Sequence, residues 1–301
     1  MAKKITLVEV GARDGLQNEK KVLNQDIRLE FARRLVDAGL KKIELGAFVS
    51  PKWVPQMVGS SELFSRAQKE SVFKKVELSA LVPNVHGMND AVAAGVKHVA
   101  IFGSASEAFS QKNINCSIDE SLQRFEQIMV IAKKNKIKVR GYLSMCFGCP
   151  FEGDVPEERV VKLVKKFAKL GIYEISIGDT VGVADPAQVK RLVSKLKTAV
   201  GAKKLAMHFH DTRGTALANV LAALDLGITV FDSSLGGLGG CPYSPNSTGN
   251  VATEDVVYML ERMGYTTGVD LPKLIELNKW MTESIGHPLP SRVSKAGIPK
   301  R

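Results

Sequence analysis

Short aliphatic and β-branched runs alternate along this chain with longer stretches in which apolar residues recur every three or four positions. Ile5 to Val10 is the first such run, and it ends in Gly11-Ala12-Arg13-Asp14-Gly15, so a strand delivers an arginine and an aspartate onto a turn. A helical pattern follows, with Ile27, Phe31 and Leu35 on one face, Asn24 placed as its cap and Gly39 as its stop. Beyond that glycine, Ile43-Glu44-Leu45 reads as strand again.

The unit recurs. Ala38-Gly39, Ala94-Gly95, Leu170-Gly171 and Leu226-Gly227 each end a helical pattern and precede, by a few residues, a strand-like run beginning near Ile43, Val99, Ile175 and Val230. A glycine just past a helix end supplies the left-handed residue that closes the last turn. The interval from Gly39 to Gly95 equals that from Gly171 to Gly227, which suits two strand–helix units each. Glu77 to Val82, Val139 to Met145 and Leu205 to His208 complete the strand set. Ser117 with Glu120 and Asp154 with Glu157 read as capping boxes, and Asp185 before Pro186 as a further helix start.

Strand markers at Ile5, Ile43, Leu78, Val99, Val139, Ile175, Leu205 and Val230 predict eight parallel strands with helical crossovers, an α/β (β/α)8 TIM barrel. An open doubly wound sheet is the weaker alternative, since no Gly-x-Gly-x-x-Gly follows the first strand. Thr253 to Met263 and Leu271 to Ile285 read as additional C-terminal helices. No linker separates them, so residues 1–301 are expected to form a single catalytic domain, with about 253–301 appended to it.

Composition narrows the class. With 301 residues, 45% of them hydrophobic, the chain can bury a large core. Its apolar runs are all shorter than the roughly 20 residues that cross a bilayer, and it enters a strand pattern at once, without a signal-peptide core. Four cysteines in a chain of this length make no disulfide framework. We therefore expect a cytoplasmic protein with no membrane partner. The net charge of +11 raises nucleic-acid binding, but the lysines spread over helix faces with no aromatic interleaving, which favours a solvated basic surface and no nucleic-acid partner. Such a field would also steer an acidic small-molecule substrate.

In a barrel of this type the active site lies at the C-terminal ends of the strands. The residues there are Arg13, Asp14, Glu44, Asp179, His208, His210, Cys241 and Asn250. Side chains alternate faces along a strand, so His208 and His210 point the same way. With oxygens from Asp14 and Asn250 the two imidazoles make a mixed shell that suits Mg²⁺ or Mn²⁺ and admits Zn²⁺ or Co²⁺. The competing reading is a pair of structural histidines; the arginine–aspartate turn facing the same barrel end weighs for the metal. Glu44 and Asp179 are carboxylates on apolar strands, and each should meet a cation, either Arg13 or the metal's shell. The stretch Leu235-Gly236-Gly237-Leu238-Gly239-Gly240 carries Cys241 to the barrel mouth, where a thiol can act as acid, base or nucleophile; an incidental cysteine on a flexible loop is an equal reading. Cys146 and Cys149 have redox spacing but no matching second pair.

Four motifs then coincide: Val10-Gly-Ala-Arg13-Asp14-Gly-Leu-Gln17-Asn-Glu, Phe48-Val-Ser-Pro-Lys-Trp-Val-Pro-Gln-Met, His208-Phe-His210-Asp-Thr-Arg-Gly and Gly236-Gly-Leu-Gly-Gly-Cys241-Pro-Tyr. In order, from about Lys4 to Leu277, the chain resembles the 3-hydroxy-3-methylglutaryl-CoA lyases. The resemblance implies a metal-dependent barrel that cleaves an acyl-CoA substrate to acetyl-CoA and acetoacetate, and it implies a homodimer. On the matching positions, Asp14, His208, His210 and Asn250 would bind the cation. Arg13 and Gln17 would bind substrate, Arg13 stabilising the enolate oxygen of the leaving thioester, and Cys241 would exchange a proton with that enolate. Glu44 and Asp179 fall at positions the family uses in or beside the site.

The chain departs from the family at Ala12, at Leu45-Gly46-Ala47, at Arg213 and inside Tyr243 to Asn250. Several of these are expected to touch the substrate pocket, which leaves a related 3-hydroxy-acyl-CoA open. A condensing enzyme or 2-oxo-acid aldolase of the same superfamily is the alternative, although the Gly-Gly-Cys-Pro-Tyr loop is not expected in those siblings.

Overall fold

The computed structural model describes residues 3–240 and 249–300. Eight parallel strands close into a barrel in sequence order: β1 (Thr6–Glu9), β2 (Lys42–Ala47), β3 (Glu77–Leu81), β4 (His98–Ser104), β5 (Lys138–Ser144), β6 (Glu174–Asp179), β7 (Leu205–Phe209) and β8 (Val230–Ser233). The last strand pairs back onto the first through Thr6–Val230 and Glu9–Ser233. This is the expected (β/α)8 barrel.

Eight helices occupy the crossovers: α1 (Gln25–Asp37), α2 (Ser60–Lys69), α3 (Val85–Ala93), α4 (Glu107–Ile114), α5 (Ile118–Lys134), α6 (Glu157–Leu170), α7 (Pro186–Val200) and α8 (Ala216–Asp225). Their apolar stripes pack on the outside of the barrel. Val160, Leu163, Val164 and Phe167 of α6 are buried, while Lys166 and Lys195 turn outward to pair with Asp119, Glu157 and Glu158.

Local signals act where the sequence places them. Asn24 accepts the Ile27 N–H, Ser117 and Glu120 form a reciprocal box, and Asp185 accepts from Ala187 and Gln188. Gly39 has φ +101°, and a Cβ there would collide with the Gly268 carbonyl oxygen. Asp154 is a correction. The cap of α6 is Pro156, with φ −59° and ψ 126° and no side-chain bond. The helix therefore starts at Glu157, one residue past the proline, and Asp154 lies too far upstream to reach its first turn.

Three further helices follow the barrel: α9 (Thr253–Arg262), α10 (Leu271–Ile285) and α11 (Arg292–Ala296). The turn between α9 and α10 closes the N-terminal end of β1, where Ile5 donates to Thr266. The start of α10 is tied to the end of α1 by Asp270 N–H to the Ala38 carbonyl, and Arg34 of α1 stacks 4.6 Å over the Trp280 ring. No helix among the described residues is long and apolar enough to cross a membrane.

Candidate active site

The residues at issue gather at the C-terminal end of the barrel. After β1 the chain makes a single π-helical turn, Gly11–Gly15, closed by Gly15 N–H onto the Val10 carbonyl. That tight turn swings Arg13 and Asp14 over the barrel mouth instead of leaving them in an open loop. On β7, His208 pairs with Gly178 of β6 and Asp232 of β8, and His210 lies just past the strand end on the same face.

Asp14, His208 and His210 each present a ligand atom within 4.8 Å of the other two. The imidazoles face each other, Nε2 to Nε2, at 3.2 Å. Two ring nitrogens at that distance need either a shared proton or a common cation between them. One carboxylate oxygen and two imidazole nitrogens, largely removed from water, form a donor set that fits a divalent cation. Asn250 stands beside them on a bridge to His210. Its amide nitrogen donates to Asp14 Oδ2 at 2.8 Å and to the Leu238 carbonyl at 3.1 Å, so in this structure it serves the carboxylate as a donor.

The electrostatics agree with ligand character. Burial works against ionisation of Asp14, but Arg13 and the two imidazoles outweigh it and hold the carboxyl below its usual range. His210 is pushed down to about 3 by burial and then by His208, leaving a neutral ring. Burial also opposes the charge on His208, yet the Asp232 carboxylate prevails and shifts that ring upward.

Arg13 is the other fixed point. Its Nε and Nη2 approach Glu44 Oε2 at 2.7 and 2.6 Å, Nη1 donates to Asp14 Oδ1 at 2.7 Å, and Gln17 Oε1 lies 3.5 Å from Nη1. Glu44, expected to meet a cation, meets this one. Arg13, Asp14, Gln17, His208 and His210 line a cavity together with the apolar Leu81, Phe102, Phe109 and Leu143 and the polar Asn113, Ser144, Ser176 and Thr180. Tyr142 completes it, its ring 5.7 Å from the Arg13 guanidinium and edge-on to His208.

Other expectations need correction. Asp179, expected to pair with a cation, instead accepts the Val183 and Ala184 N–H groups at 2.9 and 3.0 Å. The sharp turn after β6 wraps two backbone donors around its carboxylate, which holds that turn and is not part of the cavity wall. Arg213 donates to the Val181 and Gly182 carbonyls and lines a neighbouring cleft with Arg191 and Gln188, not the central cavity. Leu45, Gly46 and Ala47 are likewise absent from its wall. Cys241 lies outside the described residues, as does most of the divergent Tyr243 to Asn250 segment. Cys146 and Cys149 are free and buried in the core.

Several buried groups had no place in the sequence reading. Asp232 on β8 receives Arg140 Nη2 at 2.7 Å and Ser176 Oγ at 2.6 Å, with His208 Nδ1 at 3.3 Å. Glu9 accepts the Gly11 and Leu235 N–H groups and the Thr253 hydroxyl. Glu254 accepts from Gly236, Asn278 and Ser294. Burial raises both glutamates to about 7. Together they hold the first residues of the glycine-rich stretch, where Gly236 sits at φ +64°, with α9 and the C-terminal segment behind it. A carboxylate inside an apolar strand must have a partner, and Glu9 and Asp232 lie on strands just as Glu44 does.

Comparison with known proteins agrees with this geometry. The HMGL-like family matches residues 4–281. The chain belongs to the HMGL-like family. It is 48% identical over 296 residues to the mitochondrial hydroxymethylglutaryl-CoA lyase of Homo sapiens, covering 98% of this chain and 90% of that one. It is 47% identical over 300 residues to the 3-hydroxy-3-isohexenylglutaryl-CoA/hydroxy-methylglutaryl-CoA lyase of Pseudomonas aeruginosa, covering 100% and 99%. The crystal structure of hydroxymethylglutaryl-CoA lyase from Pseudomonas aeruginosa superimposes with a TM-score of 0.94 at 47% identity, covering 98% of each chain.

Proposed function

We propose that this HMGL-like chain cleaves 3-hydroxy-3-methylglutaryl-CoA to acetyl-CoA and acetoacetate at the C-terminal mouth of its barrel. The observation that carries the reading is the convergence of Asp14, His208 and His210 within 4.8 Å, directly beside the Arg13–Glu44 pair. Asp14, His208 and His210 would hold a divalent cation, Mg²⁺ or Mn²⁺, with Asn250 as the fourth donor. When bound, such a cation acts as a Lewis acid that lowers the pKa of a coordinated hydroxyl.

The chain's own residues supply the rest. Carbon–carbon cleavage leaves an enolate whose charge develops on the thioester oxygen, and a preorganised guanidinium opposite that oxygen stabilises it. Arg13 is preorganised by Glu44, Asp14 and Gln17 before substrate arrives. The apolar Leu81, Phe102, Phe109 and Leu143 of the cavity lining would displace water from the acyl portion. Cys241, which follows in sequence the stretch that Glu9 and Glu254 anchor, is assigned proton exchange with the enolate carbon. In this reading Asp179 acts only through the β6–α7 turn.

Cys241→Ala tests the assignment. The variant is expected to lose turnover by roughly 100-fold or more, the usual range for a general acid, while binding Mn²⁺ as tightly as the unaltered protein. Wild-type turnover in Cys241→Ala would remove the thiol from the reaction.

A further inference from the structure

Beneath the cation ligands lies a line of buried charges that the reaction itself does not call for. It begins near the N-terminal end of the barrel, where Lys42 Nζ stands 3.6 Å from Glu174 Oε2. Glu174 Oε1 receives Arg140 Nε at 2.7 Å. Arg140 grips both oxygens of Asp232, Nη2 to Oδ1 at 2.7 Å and Nη1 to Oδ2 at 3.2 Å. Ser176 Oγ adds a third bond to Oδ2 at 2.6 Å, and the line ends on His208 Nδ1, 3.3 Å from that same oxygen.

We propose that Asp232 is a positioning residue that sets the tautomer and orientation of His208, so that the Nε2 lone pair faces the cation. Asp232 is fully enclosed, and every other partner it has is a donor, so it stands there as a carboxylate with only lone pairs to offer. The imidazole nitrogen facing it must therefore carry a proton, which leaves Nε2, 3.2 Å from His210 Nε2, as the nitrogen that can offer a lone pair to a cation. Arg140 and Ser176 make this arrangement stiff. Held by the bidentate guanidinium and by the hydroxyl, the Asp232 carboxylate cannot swing away from the ring.

The neighbouring imidazole supplies the contrast. His210 Nδ1 is buried without a hydrogen-bond partner, so no carboxylate backs that ring as Asp232 backs His208. Of two adjacent imidazoles, one is backed by a dedicated carboxylate and the other is not. Replacing both Asp232 and Arg140 by apolar residues would fill the barrel with less desolvation cost, so a purely structural role explains the pair poorly.

The inference rests on the cation reading of the site, and the test separates the two. Mn²⁺ affinity is measured by electron paramagnetic resonance on the wild type and on Asp232→Asn, with ¹⁵N NMR of the His208 ring in the metal-free wild type. The wild type is expected to bind Mn²⁺ and to show the Nδ1–H tautomer, and Asp232→Asn to bind 10- to 100-fold more weakly. No Mn²⁺ binding by the folded wild type would overturn the cation reading. Binding by the wild type with equal affinity in Asp232→Asn would overturn the role of Asp232 alone. If Asp232→Asn does not fold, the wild-type spectrum decides: an Nε2–H tautomer at His208 contradicts the proposal and an Nδ1–H tautomer upholds it.

Discussion

Arg13→Lys is expected to lower kcat with 3-hydroxy-3-methylglutaryl-CoA by roughly 100- to 1,000-fold, the range for loss of one preorganised donor at a developing oxyanion. The substitution keeps the charge and loses the fork. Arg13 spans Glu44 through Nε and Nη2 and reaches Asp14 and Gln17 through Nη1. A lysine ammonium is a single point on a flexible stem, and it cannot hold Glu44 and Asp14 while also facing a substrate oxygen. Glu44 would then be left partly unpaired in a site it cannot leave, since it is fully buried and its Oε1 already lacks a partner. Steady-state kinetics beside a thermal melt separate the two consequences. A kcat within threefold of wild type would mean that the guanidinium geometry does not matter.

The second large effect is expected at Asp14. Asp14→Asn keeps the shape of the side chain and removes the only carboxylate among the three converging ligands. Without that charge only imidazoles and neutral amide oxygens remain, a set that holds Mg²⁺ and Mn²⁺ poorly because hard cations prefer anionic oxygen. Mn²⁺ affinity should fall by more than about 100-fold, beyond the loss typical of residues that only orient ligands, and turnover should fall with it. Arg13 also loses an ion pair, so the melting temperature is measured in parallel. Unchanged Mn²⁺ affinity in a folded Asp14→Asn protein would move the cation elsewhere.

Much of this architecture can be read in the chain because four of the crossover helices are closed by a glycine. Gly39, Gly95, Gly171 and Gly227 all adopt positive φ, and the equal intervals from Gly39 to Gly95 and from Gly171 to Gly227 announce repeated strand–helix units. Asn24, Ser117 and Asp185 cap the helices assigned to them because each lies immediately before its first turn. Asp154 fails because Pro156, between it and the helix, takes over the boundary, a local contest that composition does not reveal.

The site divides along the same line. His208 and His210 share a face because a strand alternates, and Arg13 with Asp14 follow a strand end, so sequence spacing locates them. Asp179 accepts from backbone N–H groups of the turn that follows it, partners that its place on an apolar strand does not announce. Asp232, Arg140, Glu9 and Glu254 interrupt apolar strands or a helix start, and the hydrophobic period of the sequence carries no sign of their partners. Their partners lie far away in the chain: Arg140 and Asp232 are 92 residues apart, Glu9 and Thr253 are 244 apart. Pairing at that range emerges only when the barrel closes.

The most direct test is turnover of 3-hydroxy-3-methylglutaryl-CoA by the purified protein as isolated, after exhaustive chelation, and after return of Mg²⁺ or Mn²⁺. Equal amounts of acetyl-CoA and acetoacetate, lost on chelation and restored by the returned cation, are predicted. Turnover that persists undiminished after chelation, or no cleavage of this substrate with either cation present, would contradict the account.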